Sequence, residues 1–149
     1  MSAPEIRWAR GAEDLRGAIA VRERVFVEEQ GVPVEEELDG RDEQALHLVA
    51  LAPGGKEVIG TLRLLFDGEV VKVGRVAVDR DWRGQGIAAR MLELSLAEAR
   101  ARGARRARLA SQVDVVALYE RAGFAVESAV FEEAGIPHVW MGRELRGVA

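Results

Sequence analysis

Apolar and polar positions along this chain follow two different periods, and the switches between them outline the fold. Ile6 to Ala9 reads as a short strand. From Glu13 to Glu28 the apolar residues Leu15, Ala18, Ile19, Val25 and Phe26 recur at helical spacing, with Arg22 interrupting the stripe. Gly31 and Pro33 break that helix. The stretch from Gln30 to Gln44 has no period. It carries Glu35, Glu36, Glu37, Asp39, Asp42 and Glu43 and is too long for an ordinary turn.

Three strand patterns follow, over Ala45 to Ala52, Glu57 to Phe66 and Glu69 to Asp79, divided by the turn chemistry of Pro53-Gly54-Gly55 and Asp67-Gly68. In the third, Val71 and Val73 are odd while Val76 and Val78 are even. Alternate residues of a strand face opposite sides, so this phase flip around Gly74 predicts a bulge or a change of burial. The spacing then predicts a helix from Gly86 to Arg102, with Ile87, Ala88, Met91, Leu92, Ser95, Leu96 and Ala99 on one face and Gly103 as its stop. Arg105 to Ser111 is strand-like. Val113 to Ala122 is a short helix with Val115, Leu118, Tyr119 and Ala122 on one side, stopped at Gly123. Two last strands are expected over Phe124 to Phe131 and Pro137 to Leu145, with Ala134-Gly135 as the turn between them. No repeat, low-complexity segment or linker is visible. The order predicts the α/β class, an α+β mixed sheet with helices on both faces, and one domain over residues 1–149.

Composition narrows this. The chain has 149 residues, 48% apolar and 31% charged, which suits one globular domain. A net charge of -4 argues against a general nucleic-acid binder. Arg80, Arg83, Arg90, Arg100, Arg102, Arg105, Arg106 and Arg108 nevertheless crowd one stretch, which leaves room for a small polyanion such as a nucleotide phosphate. The absence of cysteine excludes disulfides, thiolate metal sites and a cysteine nucleophile. No apolar run reaches the roughly 18 residues of a membrane span, and Met1 to Glu5 lacks the regions of a signal peptide. The expectation is a soluble cytoplasmic protein without a membrane partner.

The segment from Val76 to Leu92 carries the chemistry. It places a strand (Val76, Ala77, Val78), a glycine turn (Arg83, Gly84, Gln85, Gly86) and a helix start (Ile87, Ala88) in succession. Glycines let backbone N–H groups approach a ligand, and the first turn of a helix has unpaired N–H groups and partial positive charge. Together these make a phosphate cradle. Two glycines alone read first as a plain strand-to-helix turn.

The fuller pattern resembles the GNAT superfamily of N-acetyltransferases, whose acetyl-CoA signature reads Arg/Gln-x-x-Gly-x-Gly/Ala. Arg83, Gly86 and Ala88 match it in register, and Ala117 to Phe124 resembles the second signature of that family. The stretch from Arg24 to Pro33, with Glu37, Asp39, Asp42, His47 and the ending Glu133 to His138 with Met141, is similar to an ElaA-like and YjcF-like branch. The resemblance implies a single-domain GNAT fold of about seven strands and four helices, mostly antiparallel and splayed near Val78 and Leu109. It implies that the backbone of Val76 to Val78 pairs with the pantetheine arm and that the N–H groups of Arg83 to Ala88 hold the pyrophosphate. An amine would attack the thioester directly, without a metal. Gln112 stands where many relatives carry an asparagine that contacts the cofactor. Tyr119 would protonate the departing thiolate as general acid, whereas by periodicity alone it packs with Leu118 and Ala122. Dimers are common in look-alikes.

His47 and His138 are the chain's two histidines. Either can serve as a base or a substrate contact, since imidazole titrates near neutrality, and either can be a structural residue on a strand. Their spacing matches no zinc pattern. Glu28, Glu29 and the acids to Glu43 either attract a cationic amine or form a solvated loop. Trp8, Trp82 and Trp140 read as packing or rim residues. The expected function is acetyl-CoA-dependent N-acetylation of a small-molecule or protein amine. Two other readings stay open: an acyltransferase like the acyl-homoserine-lactone synthases, which share the Arg-x-x-Val-Phe helix and acids like Glu37, Asp39 and Asp42, and a CoA-binding GNAT domain without catalysis.

Overall fold

A computed structural model describes residues 3–145; Met1 and Ser2, part of the stretch read against a signal peptide, lie outside the described residues. The strands are β1 (Glu5–Trp8), β2 (Leu46–Leu51), β3 (Val58–Asp67), β4 (Val70–Val78), β5 (Arg106–Gln112), β6 (Ala125–Val126), β7 (Phe131–Glu133) and β8 (Ile136–Glu144). The α-helices are α1 (Gly11–Arg22), α2 (Val34–Glu37), α3 (Ile87–Ala101) and α4 (Val116–Arg121). The strands form one sheet in the order β1-β2-β3-β4-β5-β8-β6, with β7 also paired to β8. This is the mixed α/β architecture expected, with eight strands in place of seven. The chain clusters into two compact units, the first running to Arg63 and including Arg75–Met91, the second Leu64–Gly74 and the chain from Leu92 on.

In the first unit, β1 lies antiparallel to β2, from Glu5 opposite Leu51 to Trp8 opposite Leu48. Helix α1 supplies Ala18 and Val21 to a core completed by Val25, Val49, Leu51, Val58 and Ala77. Gly17 sets how closely the helix approaches: a Cβ there would stand 2.6 Å from Val58 Cγ2. Asp14 fixes the entry to α1 by accepting the Arg10 N–H at 2.7 Å and the Arg7 guanidinium at 3.1 Å. The expected continuous helix to Glu28 widens into a π-helix over Glu23–Glu29. The change begins after Arg22, whose charge must be steered to partners away from the apolar stripe. π segments of this kind are frequent at functional sites.

In the second unit, β4 runs parallel to β5 over Val70–Lys72 against Arg106–Arg108. The ladder ends there, although β4 continues to Val78 and β5 to Gln112. β5 pairs antiparallel with β8 along its full length, from Arg106 opposite Glu144 to Gln112 opposite His138. On α3, Leu92, Ser95, Leu96 and Ala99 are buried, as the helical face predicts, while Leu94 is exposed. The expected strand from Phe124 to Phe131 is only partly formed. Ala125 and Val126 pair with β8, and then the Ser128 hydroxyl accepts the Trp140 N–H at 2.9 Å, a bond that a strand carbonyl would otherwise take. The chain leaves the ladder at that point and returns as β7 opposite His138. Val115, placed on the inner side of the short helix by its spacing, is exposed, because Val113–Val115 forms a 3-10 turn ahead of α4.

Candidate active site

The glycine turn has the geometry of a ligand cradle. β4 ends at Val78, Arg80–Trp82 makes one 3-10 turn, and α3 begins at Ile87. Gly84 and Gly86 take φ values of +79° and +77°, which other residues rarely adopt. No atom lies within 4 Å of where a Cβ would stand on either. The backbone is thus bare on the side where a side chain would cover it. Arg90 N–H donates to Gly86 O at 3.1 Å, so the first-turn N–H groups before it are those a helix leaves unpaired. Gly84, Gln85 and Gly86 are exposed, Ile87 is buried beneath them and Ala88 is half-buried. A pyrophosphate fits such a surface.

The Arg83 side chain turns back onto the protein. Its guanidinium holds the Glu29 carboxylate through two hydrogen bonds of 3.0 and 2.9 Å, and its Nε donates to Val78 O at 2.9 Å. The side chain is therefore engaged by protein groups, and it pulls the Glu29 carboxyl below the usual carboxylate range.

Along β4, Ala77 is buried in the α1 core while Val76 and Val78 are half-buried. The break read near Gly74 is present one residue later, where Arg75 has φ +54°.

In the second unit, Tyr119 is buried on α4, edge-on to Phe124 with ring centres 6.2 Å apart. Burial pushes its phenol up, so it stays protonated and able to donate at neutral pH. Both features of the sequence reading, packing and proton donation, are thus compatible at this residue. Gln112 closes β5 opposite His138. His138 is buried on β8. Its Nδ1 stands 2.7 Å from Ile136 O and must carry the proton, which leaves the lone pair on Nε2, 3.7 Å from Glu133 Oε2. The imidazole stacks on Phe131 at 5.9 Å, and Phe131 stacks on Trp140 at 5.7 Å. Arg108 and Lys72 lie over the Trp140 ring at 4.7 and 5.4 Å. His47 is buried in the first unit, where Nε2 stands 2.9 Å from Asp42 O and donates to it. Its lone pair then falls on Nδ1, which is buried without a hydrogen-bond partner.

A family model described as an acetyltransferase (GNAT) domain matches residues 13–145. The chain belongs to the GNAT acetyltransferase family and is an acyltransferase. It is 40% identical over 144 residues to a UPF0039 protein of Mycobacterium tuberculosis, covering 91% of this chain and 89% of that one. It is 33% identical over 137 residues to YjcF of Bacillus subtilis, described as an N-acetyltransferase, covering 91% and 96%. Among solved structures it resembles Escherichia coli ElaA, with a TM-score of 0.84, 26% identity and coverage of 95% and 99%. The branch indicated by the motifs is therefore supported at the level of sequence and of fold.

In this GNAT acetyltransferase three acids of that stretch, Glu37, Asp39 and Asp42, are paired with arginines. Arg22, 1% exposed, donates to Glu37 Oε1 at 2.6 Å and to both Asp42 oxygens at 2.8 and 3.1 Å. Arg63, in an otherwise apolar stretch of β3, binds Asp39 and also Asp42 Oδ1 at 2.9 Å. Arg75 completes the set on Glu37 and Asp39. Hydrogen bonds from Arg63 hold the Asp39 carboxyl well below its ordinary value. Three guanidiniums thus meet three carboxylates, as buried charge requires. Glu35, Glu36 and Glu43 are exposed, and so is Asp39 despite its arginine partners. No motif marks these arginines. Two features announced them: a charge inside an apolar helical stripe and another inside an apolar strand.

Proposed function

We propose that the whole chain acts as one N-acetyltransferase domain, moving an acetyl group from acetyl-CoA to an amine by direct attack. The observation that carries this reading is the bare backbone at Gly84 and Gly86, directly ahead of α3. The N–H groups from Arg83 to Ala88 hold the pyrophosphate. The backbone of Val76, Ala77 and Val78 pairs with the pantetheine arm, and Gln112 adds an amide contact. The acceptor nitrogen bonds to the thioester carbonyl carbon as the carbon–sulfur bond breaks. Tyr119 gives its proton to the leaving thiolate. His138 is the favoured base for the amine proton, because Nδ1 donates to Ile136 O and Nε2 is left to accept. His47 donates to the backbone of the acidic loop, which supports a structural role. A cytoplasmic location is part of the same proposal.

An amine-library assay reading free CoA thiol tests the proposal, with acetyl-CoA and S-adenosylmethionine titrated in parallel. Acetyl-CoA-dependent thiol release with at least one amine is expected. Tight acetyl-CoA binding with no turnover across the library would instead indicate a binding domain, and S-adenosylmethionine binding a synthase.

A further inference from the structure

We infer that Arg75 is a positioning residue for the acyl donor: clamped by the acidic loop, it holds the kink in β4 that presents the Val76–Val78 backbone. This rests on the proposed pairing of that backbone with pantetheine. Arg75 has φ +54°, a conformation unfavourable to any side chain larger than hydrogen. Such a residue persists only where its surroundings over-determine it. Its neighbour Gly74 could adopt a left-handed φ without strain, yet among the described residues the left-handed one here is the arginine. Backbone convenience therefore does not choose the position of the kink.

The side chain does. Arg75 Nε donates to Glu37 O and Glu37 Oε1 at 3.3 and 3.2 Å. Nη2 reaches Glu36 O, Glu37 O and Asp39 Oδ2 at 3.3, 3.0 and 3.4 Å. The far end of this clamp is itself fixed, since Glu37 is buried on Arg22 and Asp39 is held by Arg63. The kink falls between the stretch of β4 that pairs with β5, ending at Lys72, and the stretch assigned to the donor. A slip of one residue in a strand turns every following side chain and peptide group over. Beyond the kink Ala77 is buried in the α1 core, while Val76 and Val78 are half-buried. Losing the clamp would let that stretch slip while the glycine cradle stayed intact.

The test compares two ligands on the full chain: acetyl-CoA and 3′-phospho-ADP, the nucleotide end of CoA without its pantetheine arm. Arg75→Gly keeps the left-handed conformation accessible and removes the guanidinium. We expect its Kd and KM for acetyl-CoA to rise roughly ten-fold or more, with kcat and the 3′-phospho-ADP affinity within about two-fold of the parent. Arg75→Lys, with one ammonium in place of a fork, should fall between, and it carries the same comparison should the glycine variant not fold. Unchanged acetyl-CoA affinity in Arg75→Gly overturns the inference. An equal loss for both ligands overturns it too, because Arg75 would then be merely structural. A parent protein that binds acetyl-CoA no more tightly than 3′-phospho-ADP overturns the pantetheine pairing itself, and the inference with it.

Discussion

Arg83 and Glu29 are joined by two parallel hydrogen bonds, Nη1 to Oε2 at 3.0 Å and Nη2 to Oε1 at 2.9 Å. The residue that opens the glycine turn is thereby tied to the last residue of the π-helix. In the proposed site, cofactor phosphate would compete with the Glu29 carboxylate for that guanidinium.

Glu29→Gln should weaken that tie, since a neutral amide is a poorer partner for guanidinium. Acetyl-CoA affinity is expected to rise roughly three- to ten-fold as Arg83 turns to the pyrophosphate. The thermal midpoint should move by no more than about 2 °C, because partly exposed pairs contribute little. Calorimetric titration reads the first and a melting curve the second. Weaker binding would mean that Arg83 acts chiefly through its bond to Val78 O.

Gly86→Asp should abolish acetyl-CoA binding. The new Cβ meets no protein atom, so the chain accommodates it, while φ +77° adds strain of about 1 kcal/mol. Its carboxylate would project into the cradle and repel the pyrophosphate. A thermal-shift assay should show a folded protein that acetyl-CoA no longer stabilises. Retained stabilisation would place the phosphates elsewhere.

Tyr119→Phe should lower kcat roughly ten- to thousand-fold, with little change in the acetyl-CoA dissociation constant. The ring that meets Phe124 edge-on is kept, so the fold survives. An acid must hold its proton to act, and burial raises this phenol above its ordinary value. The parent kcat should accordingly not fall between pH 8 and about 10, where an unperturbed phenol would begin to ionise. Single-turnover rates over that range separate chemistry from product release. Parent-like turnover by the phenylalanine variant would leave Tyr119 as a packing residue.

Acid should unfold the protein through its arginine–carboxylate network. The carboxyls of Asp14, Asp39 and Asp42 are held below their ordinary values in the folded chain. A depressed folded pKa gives stability that is complete above the unfolded value, near 4, and is lost as pH falls through it toward the folded value. The thermal midpoint should be level from pH 7 to about 5 and drop below about 4. Asp39→Asn should cost roughly 0.5–1.5 kcal/mol at pH 7, since the carboxylate is partly screened by solvent, and flatten the drop. An unchanged slope in that variant would show that Asp39 keeps the same proton affinity when the chain unfolds.

What the sequence by itself determined is what depends on neighbours a few residues apart. The strands, α3 and its buried face, the turns at Gly68 and Gly135 and the glycine cradle are all written in spacings of two, three or four. A break in β4 was legible to within one residue of Arg75, although burial stays on the odd positions Val71, Val73 and Ala77. Tertiary structure decided which residue takes the left-handed conformation, because Arg75 is held by groups 36 to 39 positions away in sequence. It likewise turned Glu37, Asp39 and Asp42 from a charge run into partners of Arg22, Arg63 and Arg75, and bound Arg83 to Glu29, 54 positions distant. A periodic pattern records which side chains must leave water. It does not record which charge each buried charge will meet, since that pairing forms only when distant segments are brought together.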